Sequence, residues 1–478
     1  MKKALIWKLL ERFGVQGVQF VLQIVLARLL VPEYHGALAI MLIFTNLANV
    51  FVHAGFNSAL IQNKDVTEED YSSVLWVSLG IAGVLYAVIF GTSPLIAGFY
   101  EMPELIWPLR VLAIMLFPGA LNSIQIAKIS REMDFKKVFY SNVGAIIGSG
   151  LAGIVLAYLG AGLWALVVQT MANVVIASIV MKFTSKLKIR FVLNFQRIKV
   201  LFSFGWKLLV SGLIDTLYQD LQSLVIGKKY NKTTLAFFNK GKQFPHFIMN
   251  SINGAVQSVM LPAMSEKQES RDELKNMMRN SISLCAFIVF PLMAGLAAVA
   301  EPLVRLLLTD VWLPAVPYLQ IYCVTSAFYP IHSCNLQAIN AIGRSDIFLK
   351  LEIIKKSYGI LALIIAVVFF KSPIAIAMTA IITTMISFVV NATPNKKLIG
   401  YSYFEQVRDL LPSFAASLTM LAAVWLIGFI NLPLILKLVV QVLAGIVIYI
   451  VLAVVFKLKP YKLAMEALKN FKVKVSNE

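Results

Sequence analysis

Fourteen stretches of about 20 apolar residues dominate this chain, each long enough to cross a bilayer. They fall near 5–30, 36–58, 74–99, 105–127, 138–159, 161–183, 201–226, 234–262, 280–300, 313–342, 347–370, 373–392, 409–430 and 433–456. Backbone polar groups in hydrocarbon must be satisfied within helices or closed barrels, and runs of this length specify helices. The expected fold class is therefore all-α, a polytopic membrane protein with about 14 transmembrane helices. The composition agrees: 59% of the 478 residues are hydrophobic and only 14% are charged, beyond the range of soluble domains. The first stretch is too long for a cleavable signal peptide and lacks a small-residue cleavage site, so it is expected to serve as the targeting segment. Cys285, Cys323 and Cys334 lie in apolar stretches without a second ligand cluster. They read as buried thiols, with no disulfide, metal or cofactor expected.

Lysine and arginine crowd alternate connections, among them Lys64, Lys128, Arg131, Lys188, Arg190, Arg197, Lys267, Arg271, Arg344 and Lys396. The opposite set carries only Lys228, Lys229, Lys232, Arg305 and Lys371. This asymmetry places both termini in the cytoplasm and accounts for most of the net charge of +19. Basic residues dispersed over many short loops do not suit nucleic acid.

Several helices carry polar stripes. Arg12, Gln16, Gln19 and Gln23 recur at steps of four, three and four, with Glu11 beside them and Arg28 near the far end. The second stretch repeats the device with Asn46, Asn49, His53 and Asn57, and the seventh carries Asp215, Gln219 and Asp220. The eighth holds Asn239, Gln243, His246, Asn250, Asn253 and Gln257 on one continuous face, flanked by Lys240 and Lys242. Hydrocarbon penalises such groups, so they face protein or water. Helix–helix hydrogen bonding is the bland reading; six amide and imidazole groups on one face favour a hydrated wall. Lys228 and Lys229 sit at a helix end and suit snorkelling to the interface as well as any ligand contact. Tyr329, His332, Asn335, Gln337 and Asn340 in the tenth stretch suit either the path or packing.

A shift of 200 residues relates the two ends of this pattern: Gln19 to Gln219, Arg28 to Lys228, Asn46 to His246, His53 to Asn253. Internal repeats are common in transporters. The chain is read as an N-lobe over 1–200, including an amphipathic basic linker at 184–200, a C-lobe over 201–400, and residues 401–478 with two further helices and a basic tail.

Five motifs carry a family resemblance. ARLLVPEYHG at 27–36, GFNSALIQ at 55–62, SREMDFKK at 130–137, FNKGKQFP at 238–245 and LPAMS at 261–265 resemble the signatures of bacterial polysaccharide flippases. These form a branch of the multidrug/oligosaccharidyl-lipid/polysaccharide exporter superfamily that includes colanic-acid, teichuronic-acid and O-antigen exporters. Phe238 stands where the family usually has tyrosine. The resemblance implies two six-helix lobes plus two C-terminal helices in the bacterial cytoplasmic (inner) membrane. It also implies export of polyprenyl-pyrophosphate-linked oligosaccharide by alternating access of the lobes around a polar, cationic cavity. Implied partners are the lipid-linked oligosaccharide, membrane lipids, and a polysaccharide polymerase or glycosyltransferases of the same pathway.

That cargo suits the stripes, since pyrophosphate needs charge-assisted donors and sugars need amides. The expected substrate contacts are Arg12, Gln16, Gln19, Gln23, Arg28, Asn46, Asn57, Asn239, Lys240, Lys242, Gln243, Asn250, Asn253 and Gln257. Glu11, Asp215, Asp220, His53 and His246 are candidates for proton coupling. A peptidoglycan-precursor flippase or a multidrug/cation antiporter of the same superfamily remains open. A membrane glycosyltransferase or polysaccharide polymerase fits less well, because every expected external loop is short.

Overall fold

The computed structural model describes residues 2–466 except 54, 64, 186, 268, 269 and 464, with side chains except those of 2–6, 8–13, 251, 255, 258, 259, 261 and 262. Among these residues the regular structure is helical. The chain runs α1 (Lys2–Leu29), α2 (Pro32–His53), α3 (Phe56–Gln62), α4 (Glu68–Tyr100), α5 (Ile106–Leu112), α6 (Leu116–Arg131), α7 (Phe135–Tyr158) and α8 (Leu163–Ser185). It continues through α9 (Phe195–Lys229), α10 (Lys232–Glu266), α11 (Arg271–Ala298), α12 (Ala300–Leu308), α13 (Val316–Ala341), α14 (Ser345–Phe369), α15 (Pro373–Ile399), α16 (Tyr403–Ile427) and α17 (Leu434–Val455).

Eleven stretches of the described residues are long and apolar enough to cross a membrane. Of the remaining long helices, α10 carries its polar stripe, and the first half of α14 holds Asp346, Lys350, Glu352, Lys355 and Lys356. In α1 the stretch Gly14–Leu29 is apolar.

The internal repeat reappears in the helix boundaries. Leu29 and Pro32 bracket the first turn, and Lys229 and Lys232 bracket its counterpart, 200 residues on. Later starts are 210 apart: Phe135 and Ser345 for α7 and α14, Leu163 and Pro373 for α8 and α15.

The helices form two compact units, one ending at Asn239 and the other beginning at Lys240. In the first, α7 packs on α1 and α8, α6 on α4 and α8, and α9 on α2, α3 and α4. Phe56, Leu60, Val74, Leu75, Ile124 and Leu201 make the core that joins α3, α4, α6 and α9. In the second unit α11 packs on α13 and α16, α13 on α15, α15 on α14, and α16 on α17.

Two glycines in the resemblance motifs are explained by close backbone approach. A Cβ on Gly36 would lie 1.8 Å from the Lys232 carbonyl oxygen. Thr233, on the same turn of α10, donates to Glu33 at 3.1 Å. The VPEYHG motif therefore docks the two related hairpin turns on each other. Gly55 has φ +70°, and a Cβ there would sit 2.2 Å from the Gly205 carbonyl oxygen. It breaks α2 from α3 and admits α9, so Asn57 lies on a separate short helix rather than continuing the α2 stripe. Gly36→Ala should cost more than about 3 kcal/mol, because backbone must move to relieve the clash. A fluorescence-detected melt of the detergent-purified protein, or loss of membrane yield, measures this.

Two charged connections are more ordered than loops. The basic linker at 184–200 spans the end of α8, an irregular stretch and the start of α9. α8 runs to Ser185 and α9 starts at Phe195; between them the chain is stapled to the first turns of α4. Ser73 donates to the Val192 carbonyl at 3.1 Å and accepts from Asn194 N–H at 3.0 Å, and Trp76 donates to the Arg190 carbonyl at 2.9 Å. Arg271, Lys275 and Arg279, expected in a loop, form the first turns of α11. Lys275 pairs with Glu405 at 2.8 Å, and Arg279 forks onto Asp409 at 2.6 and 3.0 Å. Tyr401 also donates to Asp409 at 2.8 Å; burial first, then that carboxylate, pushes the tyrosine hydroxyl's pKa up.

Candidate substrate path

The chemistry-bearing positions fall into two sets, one in each compact unit. In the first unit α1 leans on α7 through Trp7, whose ring lies 5.7 Å from Phe139 and 5.6 Å from Tyr140. Gly14 and Leu22 reach the same neighbour, against Phe139 and Gly150. Gln16, Gln19 and Gln23 are half-buried and Arg28 is exposed. The Glu11 and Arg12 side chains lie outside the described residues. On α2, Asn46 is exposed and His53 half-buried. On α9, Asp215 and Gln219 are exposed and Asp220 half-buried; Gln219 donates to Asp215 at 3.0 Å. Asn239 accepts from Ser223 at 3.2 Å, tying α10 to α9. Lys228 is held by Glu101 at 3.1 Å and the Phe99 carbonyl at 2.6 Å, as an interface anchor would be.

In the second unit the sequence Lys240-Gly241-Lys242 meets the start of α13. A Cβ on Gly241 would fall 2.6 Å from the Tyr318 Cβ and 2.7 Å from the Ala315 carbonyl oxygen, so only glycine permits this approach. The approach seats both neighbouring ammonium groups on aromatic rings. Lys240 Nζ lies 5.4 Å from the Trp312 ring centroid, and Lys242 Nζ lies 5.6 Å from that of Tyr322. Lys240 is 6% exposed, and no carboxylate lies within ion-pair distance of it among the described residues. Ring faces hold a cation without neutralising it. The ammonium thus keeps its charge without a counter-charge among the described residues.

Further along α10 the polar face divides. Gln243 and Asn250 are half-buried, and His246 and Gln257 are exposed. Asn253 is buried and accepts from Ser333 of α13 at 2.5 Å, so it bonds helix to helix. The tenth stretch is used similarly. Asn335 and Gln406 exchange amide hydrogen bonds at 3.0 and 3.1 Å, and Asn395 donates to Asn335 at 2.8 Å. All three are fully buried, joining α13, α15 and α16. Sequence reading singled out Asn335 but missed its partners Asn395 and Gln406, although Asn391 and Asn395, four apart in an apolar helix, signal them. Asn335→Leu should cost about 1–3 kcal/mol by stranding two buried amides. Adding Gln406→Leu should restore part of that loss in a thermal melt.

The family model described as polysaccharide biosynthesis protein matches residues 25–317. The chain belongs to that family. The succinoglycan biosynthesis transport protein ExoT of Rhizobium meliloti (strain 1021) is 24% identical, over 71% of this chain and 69% of its own length. The lipopolysaccharide biosynthesis protein WzxC of Escherichia coli (strain K12) is 23% identical, over 89% of this chain and 87% of its own. Among solved structures, the lipid II flippase MurJ in an inward closed conformation superposes with a TM-score of 0.75 at 16% identity, covering 95% of this chain and 98% of that one. That likeness concerns the fold. As a member of the polysaccharide biosynthesis family, the chain is a multi-pass bacterial membrane transporter of the multidrug/oligosaccharidyl-lipid/polysaccharide exporter superfamily, not an enzyme.

Proposed function

We propose that this chain moves polyprenyl-pyrophosphate-linked oligosaccharide from the cytoplasmic to the outer leaflet of the bacterial inner membrane, for a surface or exopolysaccharide. The observation that carries this reading is the pair of ring-seated cations at Lys240 and Lys242, set in a family whose relatives serve polysaccharide export. A pyrophosphate carries several negative charges, which cationic side chains match as charge-assisted donors.

In this reading Lys240, Lys242, Arg28 and Arg12 hold the head group. Gln16, Gln19, Gln23, Asn46, Asn57, Asn239, Gln243, Asn250 and Gln257 offer amides to the sugars, while Asn253 serves mainly to hold α10 on α13. The long helices make fourteen crossings, with α1, α10 and α14 as the polar members, and both termini are cytoplasmic. Two repeats, 1–200 and 201–400, alternate the exposure of the path, and residues 401–478 add two helices. A polymerase or glycosyltransferases of the same pathway supply and consume the cargo. Asp215, Asp220, His53, His246 and Glu11 are the candidate proton carriers; a proton-gradient dependence unchanged in Asp215→Asn liposomes would exclude Asp215.

The deciding experiment deletes the gene and identifies the lipid-linked oligosaccharide that accumulates on the cytoplasmic side. No accumulation, with normal surface polysaccharide, would sink the flippase reading. Accumulation of the peptidoglycan precursor instead would move the chain to that cargo.

A further inference from the structure

The second unit contains two cavities that meet at one side chain. One, of about 690 Å³, opens among Glu301, Arg305, Asp310, Trp425 and Lys437. The other, of about 480 Å³, is walled by Leu296, Met420, Val442, Ile446 and Tyr449 and is almost wholly apolar. Gln441 lines both. Each volume lies within the range of small-molecule sites.

The change of polarity is written along α17. Lys437, Gln441, Gly445 and Tyr449 recur every four residues, so they share one face, with successive side chains about 6 Å apart. In the polar cavity Arg305 is already committed, to Glu301 at 3.1 Å and Asp310 at 2.9 Å. Lys437 has no carboxylate within ion-pair distance among the described residues, which leaves it as the uncommitted cation. Gln441, 1% exposed, donates to the Val424 carbonyl at 3.1 Å. Its Oε1 is buried without a hydrogen-bond partner. Leaving such an acceptor unmet costs about 1–3 kcal/mol, so a donor from a ligand is favoured there. Below it the slot beside Gly445 offers only hydrocarbon.

We propose that this composite cavity holds one resident phospholipid with an anionic, hydroxyl-bearing headgroup, of the phosphatidylglycerol kind. Its phosphate sits on Lys437, a headgroup hydroxyl donates to Gln441 Oε1, and one acyl chain occupies the apolar slot. On the orientation proposed above, the headgroup lies in the outer leaflet. The lipid is a tenant of the transporter and not its cargo.

Native mass spectrometry of the full-length protein in detergent tests this, with phosphatidylglycerol, phosphatidylethanolamine, undecaprenyl phosphate and inorganic phosphate as probes at equal concentration. The expected result is one phosphatidylglycerol retained per chain and no adduct with inorganic phosphate. Lys437→Gln should lower retention about tenfold by removing a charge-assisted contact. Val442→Trp, at a position 46% exposed, should lower it as well by filling the slot; where that variant does not fold, Lys437→Gln decides alone. Equal retention of phosphatidylethanolamine, wild-type retention by Lys437→Gln, or retention of inorganic phosphate would each overturn the proposal. Displacement by undecaprenyl phosphate would overturn it too, by assigning the cavity to the cargo. None of these outcomes bears on whether deletion of the gene blocks export.

Discussion

Replacing Lys240 with methionine is expected to lower export about tenfold to hundredfold, the loss of one charged hydrogen-bonding contact of about 1.5–3 kcal/mol. The same change should leave the protein as stable as before, or more so. Lys240 is buried on Trp312 and has no carboxylate partner among the described residues, so its charge is a cost to the fold that a methionine of similar length removes. A group kept for packing would show the opposite pattern, with lower stability and normal export. Both readouts are needed: a thermal melt in detergent, and the rate at which reconstituted vesicles translocate labelled lipid-linked oligosaccharide. Wild-type export by Lys240→Met would return the residue to a packing role and remove the main physical support for an anionic cargo.

Arg197→Ala should be the most destabilising single change at the end of the first unit where the linker docks, at about 2–4 kcal/mol. Asp70 is 1% exposed, and the Arg197 guanidinium forks onto it, Nε to Oδ1 at 2.9 Å and Nη2 to Oδ2 at 2.7 Å. The same carboxylate closes the capping box of α4, accepting from Thr67 N–H at 2.9 Å. Arg197 also donates to the Asp65 carbonyl. Removing the guanidinium leaves a buried carboxylate at a helix start and frees the linker that Ser72, Ser73 and Trp76 hold. The cost falls below that of a fully buried pair because Arg197 stays one-third exposed. Asp70→Asn in the Arg197→Ala background should recover part of the stability, since the amide carries no charge to strand. Equal melting of Arg197→Ala and wild type would show that the staple contributes little.

The chain's residues by themselves determined that it is helical, that it crosses the membrane many times and that its first hairpin recurs 200 positions later. Hydropathy and period are properties of a single helix and need no neighbour. The motif residues that carry the family resemblance were legible too, but their role was not. Gly36 and Glu33 meet Lys232 and Thr233 some 200 residues away, and no local pattern announces such a pairing. Polar stripes were legible as stripes only. Gln243, Asn253 and Gln257 read alike along the chain, yet Asn253 is consumed by Ser333 and Gln257 is left uncovered. Lys275 and Arg279 read as loop because charge at a span's edge looks the same whether solvated or paired. Ser270 caps the helix that carries them, and the acids on α16 pair with their charges. Whether a polar group is wall, glue or anchor depends on what lies within 3–4 Å of it. Tertiary packing alone decides that, because the partners lie tens to hundreds of residues apart.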